Sequence, residues 1–270
     1  MQALQQFVTR HRKLLVLTGA GCSTDSGIPD YRDGEGRWKR RKPILYQEFM
    51  TSESVRQRYW ARSYLGWLPF SQARPNPSHH ALAQLESRGR IGQLVTQNVD
   101  GLHQKAGSQQ VIDLHGRLEQ LRCQSCGEPE SRHWMQEKLV SLNPWLDTLN
   151  AATAPDGDTD LETDFSPMVV PGCPICGGIL KPDVVFYGEQ VPRSRIAAVY
   201  DALHQADALL VAGTSLMVFS AFQFMREAAR LGKPIAAINQ GKTRADHLFQ
   251  LKIEQPAGAT LSNLVTNLPE

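Results

Sequence analysis

The stretch Lys13-Leu14-Leu15-Val16-Leu17-Thr18-Gly19-Ala20-Gly21-Cys22-Ser23-Thr24 decides the fold. Its apolar run, ending at Gly19, has the pattern of a parallel strand buried on both faces. The glycines let the backbone approach a diphosphate, and a helix expected to follow would add amide donors and the positive end of its dipole. The fingerprint is imperfect for a dehydrogenase-type dinucleotide site. Position 24 carries Thr where such a site has Gly, and no clear acidic residue ends the next strand to grip a ribose. Gly19 and Gly21 by themselves fit an ordinary tight turn about as well.

Similar apolar runs recur outward from this segment, at Gly92 to Thr96, Ala208 to Gly213 and Pro234 to Asn239. Helical patterns fall between or before them, at His79 to Arg88, Ser194 to Gln205 and Ser220 to Leu231. Strands alternating with helices predict an α/β fold, a doubly wound Rossmann-like parallel sheet. Two regions break the alternation: an aromatic and basic stretch from about Asp33 to Pro77, and a stretch from about Leu118 to Glu189 that carries two cysteine pairs. The expected division is a nucleotide-binding domain built from residues 1–32, 78–117 and 190–270, a helical module at 33–77 and a smaller zinc-binding module at 118–189. Between the cysteine pairs, the acidic, turn-rich tract Ala151 to Asp160 predicts a surface loop.

With 270 residues, 21% of them charged and a net charge of +2, the chain lacks the electrostatic bias of a nucleic-acid or membrane-surface binder. The basic run Arg37 to Lys42 reads as a solvated loop face. The first residues lack the basic flank and apolar run of an exported chain. No window reaches the length of a transmembrane helix. With cysteines paired as metal knuckles, these features predict a cytoplasmic monomer with neither a nucleic-acid nor a membrane partner.

Cys123-Gln124-Ser125-Cys126 and Cys173-Pro174-Ile175-Cys176 can close a tetrahedral thiolate shell around one structural Zn²⁺, with no ligand position left for chemistry. Redox activity is the competing reading; it would need only one pair, and neither opens a thioredoxin-like βαβ unit. The fifth cysteine, Cys22, reads as a small packing residue. The turn Gly27-Ile28-Pro29 places Asp30, Tyr31 and Arg32 close in sequence to the expected phosphates, with a structural Asp–Arg pair as the alternative. Thr96-Gln97-Asn98-Val99-Asp100-Gly101-Leu102-His103 lies at the C-terminal end of an expected strand, where open α/β sheets bind ligands. His115 follows an apolar run and precedes the first knuckle, which makes it a candidate general base at a cleft between modules; an ordinary hydrogen-bonded histidine is the alternative.

The succession GAGCSTDSGIPDYR (19–32), TQNVDGLH (96–103), LHG (114–116), two CxxC pairs, KPDVVFYGE (181–189), GTSLMV (213–218) and IN (238–239) resembles the sirtuins, NAD-dependent protein lysine deacylases. The resemblance spans nearly the whole chain. It implies that Gly19, Ala20, Gly21, Asp30, Tyr31 and Arg32 line the diphosphate and nicotinamide side of NAD, and that Gln97, Asn98 and Asp100 form the ribose and nicotinamide pocket, with Asn98 sharing in catalysis. Gly213, Thr214 and Ser215 would hold the adenosine end, and Asn239 with Gln240 the adenine-side ribose, which accounts for the missing acidic residue. His115 resembles the catalytic base, acting toward a ribose hydroxyl after the acyl-lysine carbonyl oxygen displaces nicotinamide from C1′. Val184, Val185 and Phe186 resemble the segment that pairs in extended form with an acyl-lysine peptide or protein. Cys123, Cys126, Cys173 and Cys176 match the family's structural zinc ligands. Tyr31, Arg244-Ala245-Asp246-His247-Leu248 and the long insert between knuckles look most like class II, a branch for which ADP-ribosyl transfer to protein is an alternative activity.

Three rival classes remain. A nicotinamide-dependent oxidoreductase would need the fuller glycine fingerprint. A zinc-knuckle module binding nucleic acid would need a basic face. A zinc hydrolase would need one cysteine to leave the metal.

Overall fold

The computed structural model describes residues 1–30, 33, 35, 37, 43–148 and 164–268. Its strands, in chain order, are β1 (Leu14–Thr18), β2 (Ile91–Thr96), β3 (Val111–Asp113), β4 (Gly116–Cys123), β5 (Pro129–Ser131), β6 (Leu180–Val184), β7 (Ala208–Ala212), β8 (Ile235–Ile238) and β9 (Leu251–Ile253). The chain divides into two compact units, one comprising Met1–Arg40, Arg74–Leu114 and Val191–Glu270, the other Arg41–Ala73 and His115–Gln190.

The first unit is built on a six-stranded sheet in the order β3-β2-β1-β7-β8-β9, with every neighbouring pair parallel. All residues of β1, β7 and β8 are buried, as a strand covered on both faces requires. Alternate side chains point to opposite faces. Leu14, Val16, Leu94 and Leu210 therefore join one apolar layer with Leu82, Leu85, Leu261 and Leu264, while Leu15, Leu17, Val95 and Leu209 join another with Val199, Leu203, Phe224 and Met225. Each fully buried leucine contributes roughly 1.5–3 kcal/mol.

The helix Pro77–Ser87 starts where its sequence caps it. Asn76 Oδ1 accepts from Ser78 N at 2.8 Å, Pro77 takes the first turn, where its missing N–H costs nothing, and His79 Nδ1 accepts from Asn76 N at 3.2 Å. After β1, in contrast, the expected helix is absent. Two short 3-10 turns, Ala20–Cys22 and Thr24–Ser26, stand in its place, and Gly27 at φ +81° followed by Pro29 ends them. No helix dipole of useful length is available there.

In the second unit, the helices Tyr46–Thr51, Glu53–Ser71 and Arg132–Leu142 share one core with an antiparallel sheet ordered β5-β4-β6. Phe49, Tyr59 and Trp60 from the helical stretch pack with Leu121, Met135, Leu139, Leu180 and Phe186. The aromatic helices and the cysteine-bearing segment, separate modules in the sequence reading, are thus one apolar cluster. Arg132 is fully buried in it, its guanidinium over the Trp67 and Trp60 rings and donating to the Ser63 carbonyl.

Candidate functional site

Three loops leave the C-terminal ends of β1, β2 and β7, adjacent parallel strands of the first unit. Two of them touch through backbone. Gly21 N donates to Gly213 O at 2.8 Å, and a Cβ on Gly21 would stand 2.9 Å from that oxygen. A Cβ on Gly213, whose φ is +60°, would meet Cys22 N at 2.5 Å, and one on Gly19 would meet Thr214 Cβ at 2.6 Å. The glycines that the sequence reading assigned to close approach of a diphosphate are therefore required first for loop-on-loop packing. Cys22 is buried between them, its thiol donating to Ala212 O at 3.3 Å, and burial pushes its pKa up to about 12; it is a packing residue rather than a nucleophile.

Gln97 closes the third side. Its Nε2 donates to Thr214 Oγ1 at 2.8 Å and to Thr18 O at 3.2 Å. Thr214 Oγ1 also accepts from Leu216 N at 3.1 Å, which helps hold Leu216 at φ +55°, the one positive φ outside glycine among the described residues. Ser215 sits half-buried, its carbonyl accepting from Arg244 N at 2.9 Å. Asn239 is nearly buried and donates from Nδ2 to Gln240 O at 2.8 Å, and Gln240 is exposed.

Asn98 has both amide hydrogens committed, to Gly19 O at 3.1 Å and Ser23 Oγ at 3.0 Å. Because Gly19 O can only accept, the amide orientation is fixed, and the group Asn98 offers to a ligand is its carbonyl oxygen. Ser23 Oγ donates to Asp100 Oδ2 at 2.7 Å and lies 3.4 Å from His79 Nε2. The His79 Nδ1 lone pair accepts from Asn76 N, so its proton resides on Nε2 and faces Ser23. Asp100 is buried, its Oδ1 accepting from Leu102 N at 2.9 Å, and burial raises its pKa. Burial lowers His79 to about 4 and His103 to about 3, so both imidazoles are neutral at pH 7. Their rings lie 4.8 Å apart, with His103 Nε2 2.9 Å from Thr18 Oγ1.

Asp30 is half-buried at the end of the Gly27-Ile28-Pro29 turn, and Ala20 is half-exposed between the two packed glycines. Tyr31 and Arg32 lie outside the described residues, as does the whole tract Ala151 to Asp160. Ser23 and His103 enter the sequence reading only inside longer stretches, and His79 only as the start of a helix, although all three complete the network around Asp100 and Thr18. The cap Asn76-Pro77, with His79 at its third helical position, was the available signal.

In the second unit, the four cysteine Sγ atoms lie within 4.8 Å of one another, with Cys123 to Cys176 at 3.5 Å and Cys126 to Cys173 at 3.8 Å. A tetrahedron with metal–sulfur bonds of about 2.3 Å has edges of about 3.8 Å, so these residues fit Zn²⁺ with no position left for water. The two knuckles are alike: Gly127 N donates to Cys123 O at 3.0 Å and Gly177 N to Cys173 O at 2.8 Å.

His115 is half-buried in the two-residue turn before β4, its carbonyl accepting from Val185 N at 2.8 Å. Val184 and Val185 are half-buried, but the Phe186 ring packs against Phe49 and Tyr59 in the core. Val184 O accepts from Lys181 Nζ at 2.6 Å, while Phe186 N donates to Glu189 Oε2 at 2.8 Å and Phe186 O accepts from Glu189 N at 3.0 Å. A peptide strand laid here would find these main-chain groups already bonded.

The model of the Sir2 family matches residues 19–220. Over 266 residues the chain is 59% identical to NAD-dependent protein deacetylase 2 of Bradyrhizobium diazoefficiens, covering 98% of this chain and 97% of that one. A solved structure of Sir2 with a p53 peptide and NAD⁺ is similar at a TM-score of 0.78 and 28% identity, covering 98% of this chain and 97% of the other. Another, of a Sir2 variant with a deacetylated p53 peptide and 3′-O-acetyl ADP-ribose, is similar at a TM-score of 0.79 and 28% identity, with coverage of 98% and 97%.

Proposed function

The chain belongs to the Sir2 family, and on that premise we infer that it is an NAD-dependent protein lysine deacylase that moves the acyl group of an acyl-lysine to ADP-ribose and releases nicotinamide. The observation that carries this reading beyond kinship is the state of Asn98. With its amide hydrogens spent on Gly19 and Ser23, it presents a fixed carbonyl acceptor at the end of β2, suited to a hydroxyl or water beside a ribose.

NAD, when bound, supplies an electrophilic ribose carbon and nicotinamide as its leaving group. Ala20 and Asp30, with Tyr31 and Arg32, would bind the diphosphate and nicotinamide side, while Gly213, Thr214, Ser215, Asn239 and Gln240 would bind the adenosine end. Gln97 keeps the β1, β2 and β7 loops in one arrangement. Asp100, held by Ser23 Oγ and Leu102 N, would present its buried carboxyl group to the nicotinamide side. His115 takes the proton of a ribose hydroxyl. Val184 and Val185 contact the acyl-lysine, and Phe186 supports them from the core. Zn²⁺ on the four cysteines holds the second unit together and takes no part in the chemistry.

No helix among the described residues is long and apolar enough to cross a membrane. The proposal extends to a cytoplasmic, monomeric enzyme without a nucleic-acid partner, in keeping with the paired cysteines and the net charge of +2.

Mass spectrometry tests the assignment. Peptides carrying acetyl-, succinyl-, lipoyl- or longer acyl-lysine, incubated with protein and NAD, should yield O-acyl-ADP-ribose and nicotinamide, and His115→Ala should lose that turnover while retaining zinc and fold. ADP-ribosylated peptide as the main product would favour the transferase reading, and undiminished turnover in His115→Ala would remove that residue's role.

A further inference from the structure

Lys181 is a buried ammonium held by carbonyls and a carboxylate of the segment Lys181 to Glu189 and covered by two aromatic rings. Its side chain is 4% exposed, and Nζ donates to Pro182 O at 3.0 Å, Val184 O at 2.6 Å and Glu189 Oε2 at 3.1 Å. An ammonium carries three N–H donors, and these three acceptors lie within hydrogen-bond reach of it. The Phe186 and Tyr46 rings cover it, with centroids 4.7 and 5.9 Å from Nζ. The carboxylate completes the knot: the oxygen that accepts from Lys181 also accepts from Phe186 N at 2.8 Å.

The knot sits at a sheet edge, because among the described residues the strand β6 pairs with β4 alone in the order β5-β4-β6, the one bridge beyond it joining Tyr187 to Leu45. An open edge has free main-chain groups whose direction decides where an added strand starts. Val185 N is directed to His115 O, and by strand alternation the carbonyl of Val184 turns to the other side. There Lys181 Nζ occupies it, and Glu189 occupies the N–H of Phe186. Without the pair, both groups would be free to rotate or to bond out of register.

We propose that Lys181 and Glu189 are positioning residues for the acyl-peptide, closing the edge at Val184 and Phe186 so that the two valine side chains are presented in one register; the inference rests on the deacylase reading above. A buried pair loses more when one member is removed than when both go, since the remaining charge is stranded. Lys181→Met should therefore raise KM for an acetyl-lysine peptide at least tenfold, Glu189→Gln severalfold, and the double variant no more than Lys181→Met alone. Lys181→Arg should recover part of the loss. KM for NAD, measured at saturating peptide, should stay within about twofold in every variant.

A purely structural role would lower Tm and active fraction but leave both KM values unmoved, and that result, or an equal rise in both KM values, overturns the proposal. If Lys181→Met fails to fold, Glu189→Gln and Lys181→Arg give the same reading: a selective rise in peptide KM supports positioning and an unchanged value overturns it. A wild-type protein with no NAD-dependent deacylation defeats the functional reading and this inference together, whereas an active wild type with indifferent variants defeats only the inference.

Discussion

At the ends of β1 and β7, two loops are fixed by backbone packed on backbone, with Gly21 N on Gly213 O at 2.8 Å and no room for a Cβ on either side. In the cysteine unit, loops are fixed by side chains gathered around charge: four thiolates at a metal position and a carboxylate against a buried ammonium. The first arrangement draws on a sheet buried on both faces and needs nothing from outside the chain. The second depends on groups that can be titrated, chelated or substituted one at a time. A unit with a large apolar core can spend backbone freedom on a binding loop, whereas a smaller one uses staples.

Chelation should break the comparison most sharply. Structural zinc is worth about 10 kcal/mol or more in small zinc-binding peptides. Stripping it, or substituting Cys173→Ser, should remove hydrogen-exchange protection across β4 and β6 while β1 and β7 keep theirs. Retained protection at β4 without zinc would contradict the structural role of the metal.

Gly213→Ala attacks the other side. Its new Cβ meets Cys22 N in a backbone conformation that alanine adopts with strain, so urea unfolding should show a loss of roughly 3–5 kcal/mol with zinc content unchanged. A loss below about 1 kcal/mol would show that the two loops have room to separate.

Acid distinguishes the regions more gently. His79 and His103 have folded pKa values near 4 and 3, below the ordinary 6.5, so the unfolded chain binds their protons first. Their contribution is complete above pH 6.5 and is lost as pH falls through their folded values, by roughly 2 kcal/mol each at pH 5 by linkage. Asp100, with its pKa raised by burial, works in the opposite direction. Urea midpoints at pH 7.5 and 5 should differ accordingly, and His103→Gln should flatten the profile. The smallest expected effect is at the exposed Lys242–Glu35 pair, where Lys242→Ala should leave the urea midpoint unmoved.

Much of the first unit was legible because buried parallel strands are written as short apolar runs: β1, β2, β7 and β8 coincide with the runs at Leu14, Gly92, Ala208 and Pro234. The short edge strand β9 was not, since Leu251-Lys252-Ile253 has a polar centre and little burial to enforce a pattern. The cysteines declared their grouping through spacing alone. Less accessible was the reason for the glycines, which depends on which distant loop faces them, and so did the turn after β1, where Gly27 and Pro29 outweigh the helix expected from the motif. Phe186 shows the same limit. An aromatic residue in a binding motif looks like a contact, and only the placement of Phe49 and Tyr59 shows that its ring belongs to the core.

The two knuckles bring residues 126 and 173 together, so the chain between them, residues 127 to 172 or 46 in all, forms a ring that is pinned again where β5 pairs with β4 and where Asn143 and Val169 bond each other. Lengthening a ring is thermodynamically mild, about 0.6 kcal/mol for each doubling of a flexible loop. Chain length there is thus nearly decoupled from the geometry of the clasp. Lengthening the ring should therefore leave zinc content and the pairing of β4 with β6 unchanged.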